Sequence, residues 1–271
     1  MKVALCSALI ALSASVAAQE APLQASDLAR WKLTLPTDAN GDGKADEVRK
    51  LAGYSNPPWF HTTAEGMLFH AHAGGARTSG STAYARSELR EMTAAGRPAA
   101  WDCLNDTRSL TLEQAVLATT TAKPEATIGQ IHDAKNDNLM FKYVGPAQAN
   151  GRSDTGRIEL LWNNAVQRQV LDAAYTLGQP MRVTLAVKQG VVQVAYRNLA
   201  SGVEKRIETK LEPAIIAGAC YFKAGLYIQA CSKLDSQGKP NAVCEKKGWE
   251  ARRYDEPEAY AEVLIRRIDL D

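Results

Sequence analysis

The sequence predicts an all-β protein built as a sandwich or jelly roll. Short segments with apolar residues at every second position alternate with turn-forming residues along most of the chain, a pattern typical of half-buried strands. Helical periodicity is confined to two short candidates, Ala21–Arg30 and part of Glu204–Ala217. No linker or repeat divides the chain, and all-β units of about 200–250 residues commonly form one domain. We therefore expect a single domain over residues 19–271.

The predicted strands follow one another at short intervals, and Gln189-Gly190 is a hairpin signal between two of them. The segments with period-two character are Met67–His72, Arg86–Arg90, Leu110–Leu117, Ile128–His132, Leu139–Val144, Ile158–Trp162, Met181–Lys188, Val191–Arg197, Cys220–Gln229 and Val263–Leu270. Such a series of short strands, with so little helix, favours two packed sheets.

The N-terminus has the pattern of a secretory signal peptide. Lys2 precedes an apolar run from Val3 to Val16, and the small residues before Gln19 suit cleavage after Ala18. Beyond this segment, no uncharged apolar run reaches the roughly 18 residues that span a bilayer. We therefore expect residues 1–18 to be removed from a protein that is secreted or periplasmic.

Charge composition argues against nucleic acid and membrane partners. The chain has 32 Lys and Arg against 30 Asp and Glu, and loss of Lys2 would lower the formal net charge from +2 to +1. A nearly neutral total gives no global field to attract nucleic acid or an acidic membrane. An anionic polymer would instead be held by a local cluster of cations.

Cysteine usage agrees with an exported protein. Cleavage would remove Cys6 and leave four cysteines, an even number that favours two disulfides in an oxidising compartment. Four cysteines allow three pairings. Among these we favour Cys103 with Cys220 and Cys231 with Cys244.

Three of the predicted strands have one polar face, because side chains alternate across a strand. Burying so many charged groups would be costly unless all were paired, so we expect this face to line a wet groove. One such strand is equally an ordinary solvent face, but three strands with His, Tyr, Gln and Arg indicate acid–base chemistry on an anionic, hydroxylated substrate. The polar faces carry Arg86, Glu88 and Arg90, then Gln130 and His132, then Tyr221, Lys223, Tyr227 and Gln229.

These three segments resemble the signature strands of polysaccharide lyase family 7, the alginate lyases. They are Arg86-Ser87-Glu88-Leu89-Arg90, Gln130-Ile131-His132 and Tyr221–Gln229, and Trp31–Pro36 is similar to the family's opening strand. The resemblance implies a β-jelly roll of two antiparallel sheets with an open concave cleft for the substrate. Many relatives have Asn in place of Ile228, but Ile228 is on the apolar side of its strand, so we expect no effect on catalysis.

The resemblance implies β-elimination on a uronate. A proton leaves C5, the glycosidic oxygen leaves C4, and a double bond forms between C4 and C5. Because a second negative charge develops beside the carboxylate, donors must neutralise that group, and Arg86 and Gln130 are the candidates. We expect His132 to accept the proton and Tyr221 to protonate the leaving oxygen. For mannuronate, whose C5 proton is on the other side of the ring, Tyr221 is expected to serve as both base and acid.

The remaining polar residues receive supporting roles in substrate binding. Arg90 and Lys223 are expected to bind neighbouring carboxylates, and Tyr227 and Gln229 to contact sugar hydroxyls. Glu88 would orient the two arginines beside it, or equally be a purely structural ion-pair partner. A Gln-Ile-His motif tends in this family to accompany activity on guluronate-containing stretches, so we expect that preference.

Two other patterns resemble metal sites. Asp38–Asp46 matches the first nine positions of an EF-hand loop, but the twelfth position is Arg49 rather than a carboxylate, so an ordinary turn is favoured. His70 and His72 share a strand face near His61, yet no fourth zinc ligand is evident. Because the elimination needs no metal, we expect neither a metal nor another cofactor.

Three other functions compete with an alginate lyase. A non-catalytic carbohydrate-binding module would need aromatic platforms but not His132 beside Tyr221. A glycoside hydrolase would need two carboxylates flanking the bond, and Glu88 has no obvious partner among the three strands. A lyase for another polyuronate, such as glucuronan, is the nearest rival. We expect a monomer whose partner is the anionic polysaccharide.

Overall fold

A computed structural model describes residues 23, 28–80, 82–146, 154–235, 238–247 and 259–271, and these residues form strands almost throughout. The predicted signal peptide at residues 1–18 is outside the described residues. The strands are β1 (Trp31–Thr34), β2 (Glu47–Val48), β3 (Phe60–Thr63), β4 (Gly66–His72), β5 (Arg86–Glu91), β6 (Thr107–Ala118), β7 (Glu125–His132), β8 (Asp137–Val144), β9 (Thr155–Trp162), β10 (Gln167–Thr176), β11 (Met181–Lys188), β12 (Val191–Asn198), β13 (Glu204–Lys210), β14 (Tyr221–Ile228) and β15 (Tyr260–Leu270), with a short helix α1 (Ala242–Lys247) before β15.

The strands form two antiparallel sheets that pack face to face. The eight-stranded sheet has the order β10-β9-β8-β7-β14-β5-β1-β2, and the seven-stranded sheet has the order β13-β12-β11-β6-β15-β4-β3. In both sheets a strand from late in the chain, β14 or β15, is inserted between strands from much earlier. This confirms the predicted jelly-roll sandwich of two antiparallel sheets.

The hydrophobic core fills the space between the sheets. Strand β11 shows the underlying pattern, because Met181, Val183, Leu185 and Val187 are fully buried while the residues between them are more exposed. Phe141 of the eight-stranded sheet contacts Tyr196 of the seven-stranded sheet, with ring centroids 6.1 Å apart. Since apolar side chains point inward, the alternate residues of the eight-stranded sheet point away from the core.

Most predicted strands are confirmed, and Gln189-Gly190 joins β11 to β12 with positive φ angles of 50° and 76°. The helix predicted within Glu204–Ala217 is wrong, because Glu204–Lys210 is the edge strand β13. Its Glu and Lys residues favour helices in isolation, but charged residues also protect a sheet edge from pairing with other chains. The other helix candidate, Ala21–Arg30, is largely outside the described residues.

Both disulfides have the pairing that we favoured from the sequence. Cys103–Cys220 has a Cα–Cα distance of 5.4 Å and joins the segment before β6 to the residue that precedes β14. Cys231–Cys244 has a Cα–Cα distance of 5.7 Å and ties the segment after β14 to α1. Among the described residues, no helix has the length and apolar character that crossing a membrane requires.

Candidate active site

The three polar strands are neighbours in the eight-stranded sheet, with β14 between β7 and β5. Lys223 of β14 pairs with Gln130 on one side and Arg90 on the other, while Tyr221 pairs with His132. The predicted site residues of three distant segments therefore share one surface. We call this surface, which points away from the core, the polar face.

A β-bulge in β14 adjusts this arrangement at Gly225. Pairing of β14 with β7 shifts between Ala224 and Tyr227, and Gly225 has a φ of 113°. A Cβ atom at Gly225 would be only 2.9 Å from the carbonyl oxygen of Ser87. Glycine is therefore required both by the backbone angle and by the close approach of β5.

The carboxylate of Glu88 is the common partner of three donors. Its Oε2 atom is 2.7 Å from Nη1 of Arg86 and 2.7 Å from Nζ of Lys223, and its Oε1 atom accepts a hydrogen bond from Nε2 of Gln130. Only 2% of Glu88 is exposed, so these contacts are shielded from water. Glu88 thus fixes the positions of three side chains on three strands.

Opposing charges set the protonation of this cluster. Burial alone would raise the pKa of Glu88, but the charges of Lys223 and Arg86 outweigh burial and hold this pKa below its usual range. Burial, followed by the charge of Arg86, lowers the pKa of Lys223 to about 8, although Glu88 opposes this shift. Around one buried anion there are therefore two cations, and the pKa of one of them, Lys223, is about 8.

His132 contacts groups on both sides of its imidazole ring. Its Nδ1 atom is 3.1 Å from the hydroxyl of Tyr221 and in contact with the carbonyl oxygen of Asp133, while its Nε2 atom is 3.4 Å from Oδ1 of Asp137. Because a carbonyl oxygen can only accept, Nδ1 carries the proton of a neutral ring. Nε2 is then the nitrogen with a free lone pair.

The surroundings of His132 favour the neutral base. Burial lowers the pKa of His132, and the charge of Lys223 lowers it further, while Asp137, the Asp133 carbonyl and Glu88 oppose the shift. Burial raises the pKa of Tyr221, opposed by Arg90, whose Cζ atom is 3.9 Å from the centroid of the Tyr221 ring. A neutral imidazole and a protonated phenol are thus adjacent at neutral pH.

Tyr227 occupies the other end of the polar face. The Cζ atom of Arg86 is 3.7 Å from the centroid of the Tyr227 ring, and the ring of Tyr84 is 6.0 Å away. Burial raises the pKa of Tyr227 to about 12. The charge of Arg86 opposes this shift, and the negative charges of Asp137 and Glu88 add to it. Tyr227 is therefore a second protonated phenol that faces the charged cluster.

Comparison with known proteins identifies the family. The sequence profile described as alginate lyase matches residues 26–271, which is nearly the whole chain. The chain belongs to this alginate lyase family. An alginate lyase from Klebsiella pneumoniae is 45% identical over 86 residues, a match that covers 30% of this chain and 28% of that protein. The match therefore spans less than a third of the length of that relative.

Solved structures of alginate lyases have the same fold. One from Corynebacterium is 26% identical, with a TM-score of 0.66 over 90% of this chain and 95% of the other. An alginate lyase of polysaccharide lyase family 7 is also 26% identical, with a TM-score of 0.63 and the same coverage of both chains. The resemblance that rested on three short segments is thereby confirmed.

Two of the residues that we expected to bind substrate, Arg90 and Gln229, do not contact Glu88. The guanidinium of Arg90, which we expected Glu88 to orient, donates to the carbonyl oxygens of Glu91 and Ala99 at 3.2 and 3.4 Å. Gln229 follows the end of β14, where its amide donates to the carbonyl oxygens of Tyr227 and Ile228 at 3.5 and 3.4 Å. Lys223 takes the place beside Glu88 that we expected Arg90 to have.

Asp137 is a neighbour of the site that sequence reasoning missed. It pairs with His132 across the turn between β7 and β8. The signal was present, since only four residues separate His132 from Asp137 and such a short connection indicates a hairpin. Our predicted strand began at Leu139, two residues too late to include this carboxylate.

In the two segments that resemble metal sites, the oxygen and nitrogen atoms of the side chains contact other protein groups. Asn40 and Asp42 each accept a hydrogen bond from the backbone N–H group two residues further on, at 3.1 and 2.9 Å, as in an Asx turn. Nδ1 of His70 is 2.9 Å from Oε1 of Glu262. The part of the chain that the structure describes has no group of three or more His, Cys, Asp or Glu side chains that could hold a metal ion.

Proposed function

We propose that this protein is an alginate lyase that cleaves the 1,4-glycosidic bonds of alginate by β-elimination and prefers guluronate-containing blocks. The observation that carries the proposal is the neutral His132–Tyr221 pair beside the cations around Glu88, in a chain of the alginate lyase family. A base, an acid and carboxylate-binding donors are the three requirements of the reaction.

The donors would neutralise the carboxylate of the uronate. Arg86 is held by Glu88 through one Nη atom, and its buried Nε atom has no hydrogen-bond partner among the described residues. The amide of Gln130 and the ammonium group of Lys223 are beside it on the same face. Because Glu88 aligns these groups before substrate arrives, little reorganisation is needed as negative charge develops.

Nε2 of His132 would accept the C5 proton. The electron pair of the C5–H bond then forms the double bond between C4 and C5, and the bond from C4 to the glycosidic oxygen breaks. A tyrosine hydroxyl donates a proton to that oxygen, which becomes the hydroxyl of the departing sugar. The product has a 4-deoxy unsaturated uronate at its non-reducing end.

Two tyrosines are candidates for the acid. Tyr221 contacts His132 at 3.1 Å, which places an acid beside the base. Tyr227, packed on Arg86 beside the same charged cluster, is the second protonated phenol on the polar face. In guluronate the C5 proton and the leaving oxygen are on opposite sides of the ring, so the acid is the tyrosine that reaches the leaving oxygen from the side opposite Nε2 of His132.

The test is the ultraviolet absorbance of the unsaturated product during incubation with poly-guluronate, poly-mannuronate and glucuronan. We expect absorbance to rise fastest on poly-guluronate and His132→Ala to lose activity by about 10²–10⁴-fold. Tyr221→Phe and Tyr227→Phe are compared on both alginate blocks. The acid is the tyrosine whose replacement causes the larger loss of kcat. A rise on glucuronan alone would indicate the same β-elimination with glucuronan, rather than alginate, as the substrate.

The same assay separates hydrolysis and simple binding from elimination. Hydrolysis would release reducing ends without absorbance, and it is disfavoured because Glu88 already accepts bonds from three partners. Polymer binding without any product would instead indicate a carbohydrate-binding module.

We also propose that the protein is secreted or periplasmic. The proposal is supported by the N-terminal apolar run that ends in Ala17-Ala18 and by two disulfides, which persist in oxidising compartments. Expression of the full chain in a bacterial host and N-terminal sequencing of the exported protein would test it. We expect the mature protein to begin at Gln19.

A further inference from the structure

Asp137 is the first residue of β8 and is directly opposite His132. Its Oδ1 atom is 3.4 Å from Nε2 of His132, the nitrogen that we assign as the proton acceptor. The side chains of Asp137 and His132 are 39% and 21% exposed, so this contact is at the surface of the polar face, where substrate would approach.

The groups that act on the imidazole, by contact or through their charge, are on β14, β5 and β8 and in the turn before β8. On β14 and β5 these groups are Tyr221, Lys223 and Glu88, and in the turn before β8 there is the Asp133 carbonyl. The positive charge of Lys223 disfavours an imidazolium ion, and the charge of Glu88 is already shared between Arg86 and Lys223. Asp137 is the carboxylate in direct contact with the reactive side of the ring.

We propose that Asp137 is a positioning residue that acts through His132, stabilising the imidazolium ion formed when Nε2 takes the C5 proton. The proposal rests on the proposed function and names a residue that supports the base in that reaction. The proton moves from C5 to Nε2 and later to solvent. Its negative charge offsets the effect of Lys223 on the same ring, in agreement with the opposite directions in which these groups move the pKa of His132.

Substrate binding provides a second, opposite effect. A carboxylate on the polar face repels a polyuronate, so Asp137 should weaken binding of the substrate while it assists proton removal. Loss of its charge should then lower kcat without raising KM. A merely structural role in the hairpin would instead lower thermal stability and raise KM.

The experiment compares Asp137→Asn with Asp137→Glu, which restores the charge, and with Glu125→Gln as a matched control. Glu125 is on the same strand as His132, but its Oε2 atom is 2.8 Å from Nζ of Lys142, away from the imidazole. Three readouts are needed: the pKa of His132 from NMR without substrate, the pH profile of kcat/KM, and kcat with KM on alginate.

For Asp137→Asn we expect a lower pKa of His132, a shift of the acid limb of kcat/KM to lower pH, and a kcat reduced about 2- to 5-fold, since a partly exposed ion pair contributes up to about 1 kcal/mol. Asp137→Glu should restore part of each change, and Glu125→Gln should leave the pKa and the acid limb unchanged. An unchanged pKa of His132 in Asp137→Asn, or a raised KM with an unshifted limb, would overturn the proposal. If the wild-type protein cleaves no polyuronate, the proposed function fails, but the NMR comparison still tests the link between Asp137 and His132.

Discussion

At the scale of single residues, Glu88 determines how the polar face is charged. Its carboxylate is nearly inaccessible and is shared by Arg86 and Lys223, so removing it would leave two cations close together in a poorly hydrated position. Desolvated charges are tolerated only while their partners are present. The cluster is therefore a point of structural sensitivity on the polar face.

Glu88→Gln keeps the size of this side chain and removes its charge. We expect the free energy of unfolding to fall by about 3–5 kcal/mol, because the cations of the cluster lose their buried counter-ion. Urea unfolding measures the change. Glu47→Gln is the matched control, since Glu47 pairs with Lys32 and its side chain is 43% exposed, where an ion pair contributes at most about 1 kcal/mol. Equal losses in the two variants would contradict the assignment.

The lowered pKa of Lys223 predicts that substrate binding weakens at alkaline pH. Its pKa of about 8 means that the ammonium group is charged below that pH and neutral above it, so attraction for a polyuronate weakens as the pH rises. We expect KM to increase above about pH 8 in the wild-type protein. In Lys223→Arg the increase should move to higher pH, because guanidinium groups remain protonated. Identical KM profiles at constant ionic strength would show that another group is responsible.

Strand alternation was sufficient to predict which residues share the polar face, but not how they pair. Glu88 and Lys223 are far apart in sequence, and no local pattern indicates that β14 is beside β5. The expected partnership of Glu88 with Arg90 relied on spacing within one strand. It differs from the structure because Arg90 packs on Tyr221 of the neighbouring strand instead.

At the scale of secondary-structure elements, β14 organises the site because it contacts both other polar strands. Its bulge at Gly225 lets the strand pair regularly with β5 while its pairing with β7 shifts. Tyr227 then remains on the polar face, opposite Arg86. The apolar residues Phe222, Leu226 and Ile228 are fully buried on the other side, as alternation predicted.

Gly225→Ala tests the bulge. Its φ of 113° and the Ser87 carbonyl oxygen 2.9 Å from a new Cβ atom combine backbone strain with steric overlap. We expect a loss of at least about 3 kcal/mol in unfolding free energy and reduced activity through displacement of Tyr227. Gly202→Ala is the control for strain alone, because Gly202 has a φ of 78° with open space around it, and it should cost about 1–2 kcal/mol. A smaller loss at Gly225 than at Gly202 would contradict this explanation.

Elements with an apolar stripe were predictable, and elements without one were not. Strand β11 was predicted residue for residue because its buried positions alternate strictly. Strand β13 has one buried apolar residue, Ile207, among charged neighbours, so no apolar alternation in its sequence indicates a strand that pairs with β12. Pairing at a sheet edge depends on the neighbouring strand, which no local window of sequence contains.

At the scale of the whole molecule, the two disulfides constrain very different lengths of chain. Cys103–Cys220 closes a sequence separation of 117 residues, and Cys231–Cys244 closes one of 13. Loop-closure entropy predicts losses of about 5 and about 3 kcal/mol when each is replaced by two alanines. Urea unfolding of the two double variants checks the order, and an equal or larger loss for Cys231–Cys244 would contradict it.

The order of strands in the two sheets has a consequence for biosynthesis. While a ribosome is still making the chain, β5 and β7 are already present but lack β14 between them, and β6 and β4 lack β15. The eight-stranded sheet cannot become continuous, and the residues of the polar face cannot meet, until β14 has been made, and the seven-stranded sheet waits for β15. Non-local pairing of this kind is slow. A nascent chain that remains open for so long suits the proposed export, because a translocation channel accepts polypeptides before they fold.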